Sequence, residues 1–308
     1  MKVGLVGAGN ISDTHARAAR AAGLEVVAVA GDNRDKARHL AERYGAAPFD
    51  SLDLLLRQPI DIVMIGSPSG CHADQAVAAA RAGKHVLVEK PLDITTARID
   101  ALLDEVDRAG VTLGVFFQDR LHPDVVAMKR AIDGAQIGTP ILATGEVKWQ
   151  RPAEYYASSR WRGTWALDGG GALINQGIHT VDLLLHLLGP VAQAWGRTAT
   201  RLHRIEAEDT AVVMLEFVNG AFATLQATTA AHPAQPRRVE IVGTKGTLVF
   251  SETATSSTVA NERPHQRIIE DFVDAIRNRR PPICDGREGR RSVEVVEAVY
   301  ARAREGLG

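Results

Sequence analysis

Short apolar runs alternate with helix-period segments through the first part of the chain. Residues 2–6 read as a buried strand, 14–22 as an Ala-rich helix and 25–30 as a second strand. The alternation continues with helices at 36–44 and 52–57, a strand at 61–65, a helix at 74–82, a strand at 85–88, a helix at 95–109 and a strand at 111–116. Apolar strands joined by helices predict a parallel, doubly wound α/β sheet of the Rossmann type, covered on both faces. From about Gln118 the pattern changes. A helix at 124–131 and a strand at 141–149 lead to a glycine-rich stretch and a helix at 178–188. Extended segments follow at 192–201, 210–218, 221–229, 238–242 and 246–250, with turn signals at Asn219-Gly220 and Thr244-Lys245-Gly246. No helix separates them, which predicts an α+β unit with a large open, mostly antiparallel sheet. Two helices, 266–278 and 291–304, end the chain. The expected division is two domains, 1–118 and 119–308, with the terminal helices able to pack back on the first.

Composition narrows the classes. The 308 residues are 45% hydrophobic and 24% charged, within the soluble globular range. The formal net charge of −1 leaves no general basic field, so neither nucleic acid nor an anionic membrane is an expected partner. No apolar run approaches a membrane span and the N-terminus lacks a signal-peptide layout. The two cysteines, Cys71 and Cys284, make no metal pattern, so no metal and a reducing cytoplasmic location are expected.

Three stretches carry candidate chemistry. The first, Gly7-Ala-Gly9-Asn10-Ile11-Ser12, lies between a strand and a helix, the context a dinucleotide-binding turn needs. Gly7 makes the turn, Gly9 lets the backbone approach a pyrophosphate, and the helix N-terminus offers N–H donors. Ser12 stands where the usual third glycine would be. Asp32, after the second strand, favours NAD if it meets the ribose; Asn33 and Arg34 suit NADP if it points away. NAD and NADP both stay open. Ligands of such sheets sit at strand carboxyl ends, where Ser67, Pro68, His72, Glu89, Lys90 and Gln118 fall. His72 is expected to be structural or a cofactor contact. Lys90, held between a buried strand and Pro91, is placed to bind a substrate hydroxyl.

The second stretch runs from Trp149 to Trp165. Three of the four tryptophans and two of the four tyrosines fall in it, although aromatics make up only 5% of the chain. Trp149, Arg151, Tyr156, Trp161 and Arg162 together suit a sugar, whose C–H faces stack on rings while its hydroxyls take hydrogen bonds. A packed loop or subunit contact explains the segment equally well. The third stretch is Gly169-Gly-Gly-Ala-Leu-Ile-Asn175-Gln-Gly-Ile-His179-Thr-Val-Asp182. With Asn175 just ahead of the helix, Asn175, His179 and Asp182 are expected to share one face.

These marks, with Ala82-Gly83-Lys84-His85-Val-Leu-Val-Glu89-Lys90-Pro91 and Ile241-Val-Gly243-Thr-Lys-Gly246-Thr-Leu, resemble the Gfo/Idh/MocA family over essentially the whole chain. The resemblance implies an NAD(P)-dependent oxidoreductase of sugars, polyols or related alcohols, often a homodimer or homotetramer through its C-terminal sheet. It maps the family's Glu-Lys-Pro lysine to Lys90 and its histidine to His179, and places Asp182 on substrate hydroxyls. Four residues before the histidine the family often has aspartate; here Asn175 stands there, as in its sugar-nucleotide dehydrogenases. An amide orients groups but moves no proton. The expected mechanism is alcohol oxidation with His179 as base, Lys90 stabilising the alkoxide, and Asn175 orienting hydroxyls. Two other classes stay open by analogy of fold: a non-catalytic dinucleotide-sensing regulator and an NAD-dependent redox-assisted glycosidase.

Overall fold

The structure, a computed structural model, describes residues 1–252 and 261–305. They fall into two compact units. The first comprises 1–118 with 261–290, and the second 119–252 with 291–305. The rest of the expected second domain, 253–260 and 306–308, lies outside the described residues.

The first unit is built on β1 (Lys2–Val6), β2 (Glu25–Ala30), β3 (Ala47–Phe49), β4 (Ile62–Ile65), β5 (His85–Val88) and β6 (Leu113–Val115). All pair in parallel, in the order β3-β2-β1-β4-β5-β6. The strand order reverses between β1 and β4, so a crevice opens beyond Val6 and Ile65, the usual ligand position of such sheets. Ile62–Ile65 is buried at every position because helices cover both faces. Those helices are α1 (Asn10–Ala21), α2 (Arg34–Tyr44), α3 (Leu52–Leu56), α4 (His72–Arg81) and α5 (Thr96–Ala109). Local chemistry sets their ends: the Asn33, Ser51 and Thr95 side chains cap α2, α3 and α5, and left-handed Gly45 and Gly110 stop α2 and α5. A later helix, α9 (Glu262–Asn278), packs on α1 and belongs to this unit.

The second unit holds α6 (Pro123–Asp133), α7 (Ala153–Ala157) and α8 (Ile178–Leu188) with a six-stranded sheet. Its strands are β7 (Pro140–Lys148), β8 (Val191–Ala199), β9 (Thr210–Phe217), β10 (Phe222–Thr228), β11 (Arg237–Gly243) and β12 (Gly246–Glu252). Their order is β12-β11-β7-β10-β9-β8, antiparallel except for β10 against β7. That parallel pair needs a long crossover, which the segment from α7 to β9 supplies. Strand alternation decides the faces: Ala211, Val213, Leu215 and Phe217 are buried, while Val212 and Met214 are exposed. The apolar helix α8 covers the inner face. It lies so close to β7 that a Cβ on Gly145 would sit 2.6 Å from Thr180 Cγ2. The last helix, α10 (Gly286–Arg304), contributes Gly286–Arg290 to the first unit and its remainder to the second.

Candidate active site

In the first unit, Gly7 has φ +103°, and a Cβ there would stand 2.7 Å from the Gly66 carbonyl oxygen. Only glycine allows both that conformation and the close approach of β4's end. Above Gly9 there is open space within 4 Å of where a Cβ would lie. α1 begins at Asn10 without a side-chain cap, and Ser12 and Asp13 donate to the Gly9 carbonyl. Among the described residues the N–H groups of Asn10 and Ile11 have no backbone acceptor. This is a cradle a pyrophosphate fits: room over Gly9 and a helix N-terminus facing it. Ser12 is buried where small volume is needed, its Oγ 3.3 Å from a Cβ built on Gly66.

Three expected cofactor contacts have partners within the protein. The Asn33 side-chain Oδ1 accepts from Lys36 N at 2.9 Å and serves as a helix cap. Arg34 Nε stands 3.2 Å from Asp50. His72 is 1% exposed, with Nδ1 2.8 Å from the Pro91 carbonyl and Nε2 2.9 Å from the Ser67 carbonyl. It ties two strand-end loops together from beneath and meets no open face. Burial pushes its imidazole below the ordinary histidine value, against the two carbonyls. Asp32, by contrast, is exposed and makes no hydrogen bond or ion pair among the described residues. Ser67 donates its hydroxyl to Gln75 Oε1 at 2.6 Å, and Pro68 precedes the short helical turn Ser69–Cys71.

Glu89 also turns inward, which corrects its place among the cofactor contacts. It is 7% exposed, its Oε1 2.9 Å from His15 Nε2 and 3.7 Å from His265 Nε2. Its Oε2 accepts the Lys90 backbone N–H at 3.1 Å. Burial alone would raise this carboxyl; the two imidazoles hold it well below its ordinary value instead. The cluster thereby fixes the strand end from which the half-buried Lys90 projects. Its donors resemble a metal set, but among the described residues the buried Nδ1 atoms of His15 and His265 lack the hydrogen-bond acceptors that usually orient metal-binding imidazoles.

In the second unit, the Gly169-Gly170-Gly171 turn leads into a π-helical turn, Leu173–Gly177, and then α8. A Cβ on Gly171 would run into the Glu208 carbonyl oxygen. Such a turn shifts side-chain directions away from plain helical spacing and recurs at functional sites. Asn175 Nδ2 donates to Asp168 Oδ1 at 2.7 Å, and Gln176 Nε2 donates to Asn175 Oδ1 at 3.2 Å. His179, 13% exposed at its side chain, has Nδ1 3.5 Å from Asp119 Oδ2. Arg237 donates to the same Asp119 oxygen at 2.6 Å. Burial opposes ionisation of Asp119, but the Arg237 and His179 charges bring it below the usual carboxylate value.

Asp182 does not join them. It is fully buried and takes a bidentate pair from Arg120, Nε at 2.9 Å and Nη2 at 2.7 Å. Its expected role on substrate hydroxyls is replaced by a buried ion pair with Ser292 alongside. The acidic partner of the histidine is Asp119, four residues beyond the end of β6 in sequence and unremarked because its Arg237 and His179 neighbours are distant in the chain.

The aromatic segment is sorted by burial. Tyr156 is 8% exposed, its hydroxyl 2.8 Å from Thr229 Oγ1, and burial pushes it up to about 12. It packs in the core, so it is not a wall residue. Tyr155 occupies the half-exposed place, its ring between Arg151 and Arg162. Trp149 and Trp161 flank the same guanidinium groups. Gln118 ends the first unit with a buried Oε1 that has no hydrogen-bond partner among the described residues.

The cradle and the parallel sheet define a dinucleotide-binding α/β fold. Residues 1–117 match the oxidoreductase family with an NAD-binding Rossmann fold, and 125–249 match the GFO/IDH/MocA C-terminal domain. The WlbA dehydrogenase of Bordetella pertussis, solved with NADH and UDP-GlcNAcA, is 34% identical, covers 100% of this chain and 96% of its own, and has a TM-score of 0.93. Inositol 2-dehydrogenase 2 of Saccharopolyspora erythraea is 30% identical over 90% of this chain and 82% of the relative. scyllo-Inositol 2-dehydrogenase (NAD(+)) of Bacillus subtilis is 26% identical over 100% of this chain and 95% of the relative. The chain belongs to the GFO/IDH/MocA family of NAD(P)-dependent oxidoreductases.

Proposed function

We propose that the protein oxidises a secondary hydroxyl of a sugar or polyol, or reduces the matching carbonyl, with His179 as the acid/base. Relatives that act on inositols, and one solved with a nucleotide-linked sugar, support this substrate class. The observation that best supports the reading is the place of His179: its Nδ1 stands 3.5 Å from Asp119 Oδ2, an ion-pair distance, and on this reading Nε2 exchanges the substrate proton. A base held this way contributes roughly 10²–10⁴-fold in rate. The Asp119 carboxylate stabilises the imidazolium that forms. Lys90, set at the strand end by Glu89, supplies an ammonium charge for a developing alkoxide. Asn175, its amide fixed by Asp168, orients a hydroxyl. Gly7, Gly9, Asn10, Ile11 and Asp32 hold the dinucleotide, with NAD favoured over NADP because the Asp32 carboxylate suits a ribose diol. Bound NAD supplies the hydride acceptor.

The outer face of the second unit's sheet carries Leu142, Val212, Met214, Phe222 and Val249, all exposed. Such a patch exceeds what scattered surface residues present, and supports a homo-oligomer formed on this face. Two thiols without a disulfide, Cys71 and Cys284, agree with a reducing cytoplasm.

The test is NADH formation at 340 nm over a panel of polyols, neutral sugars, uronic acids and nucleotide-linked sugars. Lys90→Ala and His179→Ala are each expected to lower turnover at least ~10²-fold with dinucleotide binding retained. Turnover within twofold of wild type in both variants would refute the assignment. Dinucleotide binding without turnover of any panel member would favour a sensor, and glycoside cleavage without net NADH a redox-assisted glycosidase.

A further inference from the structure

We infer that Arg151 and Arg162 form a subsite for an anionic group of the substrate, a carboxylate or a phosphate. This deepens the sugar-oxidation reading and rests on it for the identity of the ligand. The Arg151 guanidinium carbon lies 5.2 Å from the Trp149 ring centroid and 5.1 Å from that of Tyr155. The Arg162 guanidinium carbon lies 4.3 Å from the Tyr155 centroid and 5.3 Å from that of Trp161. Two positive groups thus share the Tyr155 ring. Arg162 Nη1 donates to the Tyr155 carbonyl at 3.3 Å.

No carboxylate answers either charge among the described residues. Other half-buried arginines do meet one: Arg17 with Glu262, Arg98 with Asp93 and Arg290 with Asp100, while Arg302 meets Gln193 and the Trp195 ring. The Nε atoms of Arg151 and Arg162 are buried without a hydrogen-bond partner, and so is Trp149 Nε1. All three are donors and none can accept. A half-buried guanidinium whose donors lack an acceptor is costly unless a ligand completes it. Ring contacts offset the charge in part, but they leave the two buried Nε–H groups unmet among the described residues. A sugar hydroxyl would satisfy a donor and leave the charge. A carboxylate or phosphate does both, and the planar fork of arginine matches either.

The pair is coupled to the candidate catalytic segment. Gln176 Nε2 donates to the Tyr155 hydroxyl at 3.2 Å and to Asn175 Oδ1 at 3.2 Å. The Asp168 carboxylate accepts from Gly163 N and Asn175 Nδ2 and makes no ion pair with Arg151 or Arg162 among the described residues. The aromatic and arginine segment therefore selects charge at one end of a substrate whose hydroxyl end is met by Asn175 and His179.

The test is calorimetric binding to the NADH-loaded protein, wild type against Arg151→Gln and Arg162→Gln, which keep much of the side-chain stem and lose the charge. The probes are glucuronate (carboxylate alone), UDP (phosphate alone) and myo-inositol (neither). Each variant is expected to weaken at least one anionic probe about 10- to 100-fold and myo-inositol far less, with melting temperatures close to wild type. Loss confined to glucuronate assigns a carboxylate, and loss confined to UDP a phosphate. Equal loss on all probes, no loss in either variant, or no binding of either anion to wild type overturns the subsite. Arg151→Lys, which keeps charge without the fork, is expected to fall between wild type and Arg151→Gln. If no sugar reduces NAD while anion binding still depends on the arginines, the oxidation reading fails and the subsite stands. If sugars are oxidised and the anions bind independently of Arg151 and Arg162, the reverse holds.

Discussion

Glu208 offers a test in which stability and catalysis are read from one buried carboxyl. It is 3% exposed, and its Oε2 accepts the Gly171 N–H at 3.0 Å. Its Oε1 accepts from Leu173 N at 2.8 Å and from the Tyr300 hydroxyl at 2.9 Å. The group therefore pins the start of the turn that presents Asn175 and His179. Burial pushes its pKa up to about 7 from 4.5, against those three donors, which favour the anion. Between 4.5 and about 7 the native state binds more protons than the unfolded one, so stability falls as pH rises through that window. At ~1.4 kcal/mol per pH unit the loss is ~3 kcal/mol, to order of magnitude. Tyr300, the titratable neighbour on α10, is itself pushed well above its ordinary value by burial and by Glu208, so it stays protonated throughout. Glu208→Gln removes the titration, and its amide N–H₂ faces a donor, at a cost of ~1–3 kcal/mol. In urea unfolding from pH 4.5 to 8, the advantage of wild type over Glu208→Gln should shrink by ~3 kcal/mol. Turnover of the variant should fall ~10-fold as the turn loosens, with dinucleotide affinity unchanged. A stability difference that is flat with pH would refute the buried-carboxyl argument. Full activity in the variant would refute the positioning argument.

Other outcomes follow from the same geometry. Asp119→Asn should lower kcat ~10-fold more than it changes KM, since the carboxylate stabilises the charged imidazole rather than bound substrate; steady-state kinetics decide, and a pure KM effect would count against the pairing with His179. Asp32→Ala should weaken NAD at least ~10-fold and NADP less, as read by fluorescence titration, because only the unmodified ribose offers a diol to a carboxylate. Phe222→Glu places a charge opposite Leu142 in the β10–β7 register. Light scattering should then show the protomer mass where wild type shows a multiple of it, and a monomeric wild type would refute the sheet-face interface.

Much of the architecture was legible because it follows from local rules. Apolar runs between helix-period segments gave the parallel sheet, and the α8 helix has the expected bounds, Ile178–Leu188. The extended reading of 210–218 matches the strand Thr210–Phe217, whose alternate residues face the core. Departures arose where spacing was taken for direction. Plain helical spacing grouped Asn175, His179 and Asp182, but the π-helical turn at Leu173–Gly177 re-aims Asn175, and Asp182 is drawn inward by Arg120. Glu89 and His72 stand at strand ends yet point into the protein, because a strand end has two faces and only one meets a ligand.

What the amino-acid order determined by itself was the sequence of elements, the glycine turn that Gly7 alone can make, and the presence of Lys90 and His179 on a dinucleotide-binding scaffold. These depend on neighbours a few residues apart. Partner choice was decided only by the tertiary structure: His179 with Asp119, Asp182 with Arg120, Glu89 with His15 and His265, and the two arginines that meet no carboxylate among the described residues. Each of these pairings joins residues far apart in the chain, and Coulomb and hydrogen-bond energies depend on distances that no sequence interval records.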